Sequence, residues 1–173
     1  KEWNYMTEWK IKSGEIIPYT ESADKLPAIS KYYDYDEGAP GKSAQSNGIT
    51  CIYRYAEVLL MYAEASTRAT NSVNQDALNA IQEVQKRAGY QNRQIELTTT
   101  TEPAAFLTAV SNERGWEFFA EMKRWFELVR LEKVKEVRAE EWDASTFNTN
   151  HHYYFPVPYQ QVDLAGWTNN AGY

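Results

Sequence analysis

Only one cysteine, Cys51, occurs among the 173 residues. One thiol closes no internal bridge, so a disulfide-stapled scaffold is excluded. Long apolar runs are also missing. No stretch approaches the ~20 consecutive apolar residues of a membrane-spanning helix, and mean hydropathy is −0.67. Positive charge is in deficit: 18 Lys and Arg against 24 Asp and Glu leave a net −6. A general nucleic-acid binder needs a basic face for phosphates, so this balance argues against one. Histidine is confined to His151-His152. No further His and no nearby Cys completes a metal site, and the pair reads as a surface loop with no metal. The nucleophile-elbow, P-loop, dinucleotide-fingerprint and zinc-protease patterns are all absent, and no cofactor is expected. The opening Lys1-Glu2-Trp3-Asn4 carries no apolar signal-peptide region.

Aromatic residues are plentiful. Six Trp, 13 Tyr and 6 Phe make 14% of the chain. Tyr and Trp combine a flat apolar face with a polar tip, so they serve cores, interfaces and sugar-stacking surfaces alike. Residues 1–48 read as an irregular, loop-rich segment punctuated by Gly14, Pro18, Pro27, Gly38, Pro40, Gly41 and Gly48. Short strands fit around Ile16-Ile17. Asp34 to Gly38 reads as a turn-rich loop. Trp3, Trp9 and Tyr35 fall in this segment and are the candidate ligand-stacking residues. The competing reading has such aromatics pinning a loop onto the core.

Residues 49–147 read as a helical core. From about Thr50, Ile52, Tyr55, Ala56, Leu59, Leu60 and Ala63 follow the i, i+3, i+4, i+7, i+8, i+11 template. Val58, Met61 and Tyr62 widen the apolar surface, which predicts burial on more than one side. Cys51 reads as a buried small residue at the helix start. A second helix opens with Ser72-x-x-Gln75 as a capping box. Ala77, Ile81, Val84 and Ala88 form its stripe, and Gly89 stands at its end. The short link between the two helices predicts an antiparallel hairpin. Thr101 is the expected cap of a third helix that begins at Glu102-Pro103 and runs to about Ala120. A fourth covers roughly Lys123 to Leu131. Residues 148–173 read as an extended tail, because Pro156 and Pro158 exclude a continuous helix.

Charges interrupt these apolar stripes. Phe106 and Val110 are followed at helical spacing by Glu113 and Glu117, with Arg114, Glu121 and Arg124 nearby. Arg54, Glu57 and Glu64 share one face of the first helix. A charge in an apolar stripe is either solvated or paired inside. Paired carboxylates for acid–base or glycosidase work are one reading of Glu113 and Glu117. The balance of signs favours the other: a structural network of ion pairs made by Arg54, Glu57, Glu64, Glu113, Arg114, Glu117 and Arg124.

Five blocks, in order, carry a resemblance. They are Lys31-Tyr32-Tyr33-Asp34; Arg54-Tyr55-Ala56-Glu57-Val58-Leu59-Leu60-Met61-Tyr62-Ala63-Glu64-Ala65; Asp76-Ala77-Leu78 through Val84-Gln85-Lys86-Arg87-Ala88-Gly89; Asn112-Glu113-Arg114 through Glu117, with Glu121, Arg124-Trp125-Phe126 and Glu127-Leu128-Val129-Arg130; and Phe155-Pro156-Val157-Pro158 with the closing Asn169-Asn170-Ala171-Gly172-Tyr173. Together they resemble the C-terminal part of the SusD/RagB family of surface glycan-binding lipoproteins. Gly115-Trp116, Ala120-Glu121-Met122 and Ala171 depart from the family's usual basic pair, glutamate-glycine and proline. The resemblance implies a mostly α fold: a tetratricopeptide-like helical-repeat scaffold with long irregular loops. It implies a non-enzyme with a glycan ligand and a SusC-type TonB-dependent transporter as partners. It also implies attachment to the outer membrane only through a lipid anchor on an N-terminal part that this chain lacks, which makes the chain a C-terminal fragment of a longer protein. A peptide ligand, a protein-interaction adaptor and a hydrolase built on Glu113 or Glu117 are the alternatives.

Overall fold

In the computed structural model, the described residues are 5–6, 8–10, 16–21, 25–29, 31, 51–89, 96–137 and 153–173. The chain divides into two units, Lys1–Met122 and Lys123–Tyr173. The first begins with short strands. β1 (Tyr5–Met6) pairs antiparallel with β4 (Ala28–Ile29), and β2 (Glu8–Lys10) pairs antiparallel with β3 (Ile16–Pro18). A 3-10 turn follows at Tyr19–Glu21.

Helices dominate the rest of this unit. α1 is Tyr55–Thr70, α2 is Gln75–Ala88 and α3 is Pro103–Glu117. α1 packs against both α2 and α3. Ala77, Ala80, Ile81 and Val84 form the buried stripe of α2 at i, i+3, i+4, i+7. They meet Leu60 and Ala63 of α1, Phe106 and Val110 of α3, and Phe118 just beyond it. Alanine at three of these positions keeps the contact surface thin, which lets helices approach closely. Each large side chain buried here contributes about 1.5–3 kcal/mol.

The ends of the helices differ from the sequence expectation. α1 starts at Tyr55 rather than near Thr50, because Arg54 is still extended. Ile52 and Cys51 therefore precede the helix, and both are exposed. Val58, Met61 and Tyr62 are also largely exposed, so α1 is buried on one stripe and not on two. Asn71 ends α1 in the left-handed region, at φ 48°, a conformation Asn tolerates better than most residues. α2 is capped by Asn74 and not Ser72: the Asn74 Oδ1 accepts from the Ala77 N–H at 2.8 Å. Asn74 Nδ2 also donates to Ser66 Oγ at 2.8 Å, which ties the link back to α1. Gly89 does end α2, but with φ −78° rather than a left-handed one. α3 is capped by Glu102 and not Thr101, through a bond from Ala105 N–H at 2.7 Å. It stops at Glu117, because the chain then turns through Ala120 and Met122 with φ of 63° and 59°.

The second unit is described by itself. α4 is Arg124–Arg130, α5 is Val134–Val137 and α6 is Tyr159–Ala165. Leu128 and Val134 form its core, with Trp125, Val129 and Tyr153 packed against them. α6 corrects the expectation of a wholly extended tail. Pro158 precedes its first residue, and Gly166 closes it at φ 68°, a left-handed position that suits glycine. Among the described residues no helix is long and apolar enough to cross a membrane.

Candidate functional site

Trp3, Tyr35 and the side chain of Trp9 lie outside the described residues, as do His151 and His152. The backbone of Trp9 stands in β2, opposite Ile17 of β3.

The charges placed in apolar stripes converge where α3 ends. Arg54 Nη1 donates to Glu117 Oε1 at 2.8 Å. The same guanidinium grips Glu121 side-on, with Nε to Oε2 at 3.0 Å and Nη2 to Oε1 at 2.8 Å. Lys31 Nζ reaches Glu121 Oε1 at 2.7 Å. Arg87 Nη2 pairs with the second oxygen of Glu117. The side chains of Glu117 and Glu121 are each 6% exposed. Lys31 also donates to the carbonyls of Glu117 and Phe119, at 2.7 and 3.1 Å, and Arg54 Nη2 donates to Glu117 O at 3.0 Å. These carbonyls are orphans at the helix end, where the macrodipole is negative. Three cations thus serve two carboxylates and one helix terminus.

Burial alone would raise the Glu121 carboxyl. The hydrogen bonds and charges of Arg54 and Lys31 outweigh it and hold the carboxyl below its ordinary value. Burial likewise opposes the charge on Arg54, and the bonds to Glu121 and Glu117 override it, so its pKa is raised.

Glu113 sits in a different setting. It is buried and accepts from Gln85 Nε2 at 3.1 Å. Gln85 in turn accepts from Thr98 N–H at 2.8 Å and donates to Thr98 Oγ1 at 2.9 Å, while Gln82 Nε2 donates to Thr98 O at 2.8 Å. Two amide side chains on α2 therefore hold the segment leading into α3. Arg114 Nη2 lies 3.7 Å from Glu57 Oε1, and both side chains are buried. The guanidinium carbons of Arg54 and Arg114 lie 5.0 and 5.3 Å from the centroid of the Phe118 ring, within cation–π range. Glu64 pairs with Arg68 one turn on. Arg124 pairs with Glu127 inside the second unit.

The structure thus brings Arg54 together with Glu117, and Glu57 with Arg114. Glu64, Glu113 and Arg124 have other partners. Lys31, Arg87 and Gln85 are the participants that stripe analysis misses. Arg87 stands in the last turn of α2, and Gln85 follows Val84 of its stripe. Lys31 lies 86 residues from Glu117 in sequence. A polar residue on the buried stripe, as Gln85 is beside Val84, is the one signal that was available.

The chain is similar to known proteins along its whole length. The SusD family profile matches residues 2–173. SusD-like protein P2 of Formosa agariphila is 29% identical over 177 aligned residues, covering 94% of this chain and 34% of that protein. SusD-like protein P25 of the same organism is 27% identical, covering 80% of this chain and 26% of that protein. The chain therefore spans about a third or less of the curated relatives it matches. A SusD superfamily crystal structure from Parabacteroides distasonis covers all of this chain and 38% of its own, with a TM-score of 0.73 at 26% identity. A SusD homolog from Bacteroides thetaiotaomicron covers 70% of this chain and 26% of its own, with a TM-score of 0.60 at 27% identity. These neighbours share a tetratricopeptide-like helical fold with the chain. With its profile, its relatives and its fold in agreement, the chain belongs to the SusD family.

Proposed function

We propose that this protein is a non-catalytic glycan-binding protein of the outer-membrane surface that delivers its ligand to a SusC-type TonB-dependent transporter. The observation that carries this reading is the family match over residues 2–173. Attachment is through a lipid anchor supplied outside the region this chain covers. Trp3, Trp9 and Tyr35 are the proposed sugar-stacking residues.

The charge node supports a scaffold role over a catalytic one. A general acid or base must exchange a proton with a substrate within hydrogen-bond reach. Both oxygens of Glu117 are already taken by Arg54 and Arg87, and Glu113 is buried against Gln85. The node fixes the end of α3 relative to α1 and to Lys31.

The test is calorimetric titration of the intact protein against a panel of polysaccharides and a panel of peptides, with reducing-end release assayed in parallel. Saccharide binding without turnover is expected, together with co-purification of a TonB-dependent transporter. Peptide binding with no saccharide binding would overturn the reading. Turnover abolished by Glu113→Gln or Glu117→Gln would overturn its non-catalytic part.

A further inference from the structure

α1 carries apolar residues on two opposite sides, and α2 and α3 cover one of them. Leu60 and Ala63 are buried on the covered side. Tyr55, Val58, Met61 and Tyr62 stand on the other, at 67%, 52%, 43% and 45% exposed. Ala65 and Ala69, also exposed, continue that side at helical spacing. No charged residue interrupts this second stripe. Arg68, the one exposed charge of α1, is tied to Glu64 at its edge. Ile52 and Tyr53 extend the exposed apolar surface just before the helix.

α2 shows what a solvated face of the same hairpin looks like. Its exposed residues are Gln75, Asp76, Asn79, Glu83, Lys86 and Arg87, polar or charged throughout. A helix that is apolar on both sides is a buried helix. In stacked helix pairs each unit rests on its neighbours, and the outer face at an end of the stack is polar. The outer face of α1 fails that requirement.

The chemistry of the face selects its occupant. Val58 and Tyr62 form one i, i+4 row, and Met61, Ala65 and Ala69 form the row beside it. Such paired rows make the ridge-and-groove surface that receives another helix. Ala65 and Ala69 leave room for close approach, as Ala77 and Ala80 do where α2 is buried. An uncharged stripe offers a charged partner surface nothing to recognise. The chain spans about a third or less of its curated relatives, so they have ample length to supply a further helix. A tethered helix also docks at a high effective concentration, an advantage a second copy does not have. We infer that, in the intact protein, an amphipathic helix lying outside residues 1–173 packs along this stripe as the next member of the helical stack. The inference does not depend on the ligand.

The test uses the intact protein. Val58→Cys and Ala65→Cys are treated with a maleimide under native conditions, with Glu83→Cys on α2 as the exposed control. Mass spectrometry resolves the labelled peptides. Positions 58 and 65 are expected to react at least about 10-fold more slowly than position 83, because a covered side chain reacts only through local opening. Equal rates at all three positions overturn the inference. Val58→Lys gives an independent reading. A lowered thermal midpoint is expected, and an unchanged one, as at a solvated position, overturns it. Photo-crosslinking from Tyr62→p-benzoylphenylalanine then identifies the cover. The expected product joins position 62 to a peptide of the same polypeptide outside residues 1–173, apolar at every third or fourth residue. Crosslinks to a second copy, to a separate protein or within residues 1–173 alone overturn the inference.

Discussion

Arg54 holds Glu121 in a side-on fork, with bonds of 3.0 and 2.8 Å from Nε and Nη2. The residues on either side of Glu121, Ala120 and Met122, both have left-handed backbone conformations. Each such conformation costs a non-glycine residue roughly 1–2 kcal/mol. The turn persists because it carries the carboxylate back to the end of α3, where Arg54 and Lys31 meet it. Strain in the backbone is offset by charge-assisted bonds in a buried place.

Removing the guanidinium is therefore expected to be severe. Arg54→Met leaves Glu117 and Glu121 buried beside fewer cations, and the loss should be about 3 kcal/mol. Arg54→Lys should recover only part of it, because an ammonium cannot form the fork. Lys31→Met should cost less, since Glu121 keeps Arg54. Urea unfolding midpoints at constant m-value rank the three variants. An Arg54→Lys variant as stable as the wild type would mean that the fork contributes nothing beyond charge.

Acid should weaken the same node. The Glu121 carboxyl is held below its ordinary value of 4.5. A depressed carboxyl stabilises the fold in full above its unfolded-state value, and that contribution fades as pH falls through the folded-state one. The stability gap between the wild type and Glu121→Gln is expected to stay constant down to about pH 5 and to shrink below it. Arg54, whose value is raised, loses its contribution only at strongly alkaline pH and does not act in this window. Denaturant titrations of both proteins across the acid range measure the gap. A gap that widens on acidification would contradict the sign.

Met122 offers a stabilising substitution. Its side chain is 88% exposed, and its φ is 59°. Met122→Gly removes the left-handed penalty and gives up no packing. Glycine's greater freedom in the unfolded chain takes back part of the gain, and a net stabilisation of about 0.5–1 kcal/mol is expected. Met61→Gly, in the middle of α1, should instead destabilise by about 1 kcal/mol. A thermal midpoint that moves the same way for both would sink this account of the turn.

The helices were legible because their stripes repeat. Ala77, Ile81 and Val84 mark the buried side of α2 by spacing alone, and Phe106 and Val110 mark α3. Glu113 and Glu117 both fall where burial is demanded; Glu117 meets Arg54 and Arg87, whereas Glu113 accepts from the neutral Gln85. Those partners were less legible. Lys31 meets Glu121 through tertiary folding, and no local period encodes that meeting. The caps differ for another reason: Ser72 and Asn74 are both competent caps two residues apart, and Thr101 stands one residue before Glu102, whose carboxylate takes the role, so one or two residues of register decide. The turn at Ala120 and Met122 is not written in their residue types, since neither advertises a positive φ. α6 was hidden behind Pro158, which reads as a helix breaker but is tolerated just before a first turn.

Thr67 tests the cost of a buried hydroxyl. It is fully buried in α1, and its Oγ1 has no hydrogen-bond partner among the described residues. An unsatisfied buried polar group costs roughly 1–3 kcal/mol, whereas an apolar group of the same shape costs nothing there. Thr67→Val is therefore expected to stabilise the protein by about 1 kcal/mol. Leu60→Ala, a few positions away in the same buried stripe, should cost about 2–5 kcal/mol through the cavity it leaves. Paired thermal melts check both. A destabilised Thr67→Val would mean that the hydroxyl does find a partner.

The closing residues explain themselves through the backbone they serve. Phe155-Pro156-Val157-Pro158 lies outside any helix or strand, so its N–H and C=O groups need partners from elsewhere. Asn169 accepts from the N–H groups of Val157 and Asn170, at 2.8 and 2.9 Å, and Asn170 and Tyr173 donate to the carbonyls of Phe155 and Tyr154. Asn169→Asp keeps the acceptor and should be nearly neutral. Asn169→Ala removes an acceptor that serves two N–H groups, and a loss of about 1–2 kcal/mol is expected. Amide exchange at Val157 should accelerate in the alanine variant, while exchange in α1 and α2 of the first unit stays as it was. If Val157 exchanges at the wild-type rate in Asn169→Ala, the clasp is not what orders this segment.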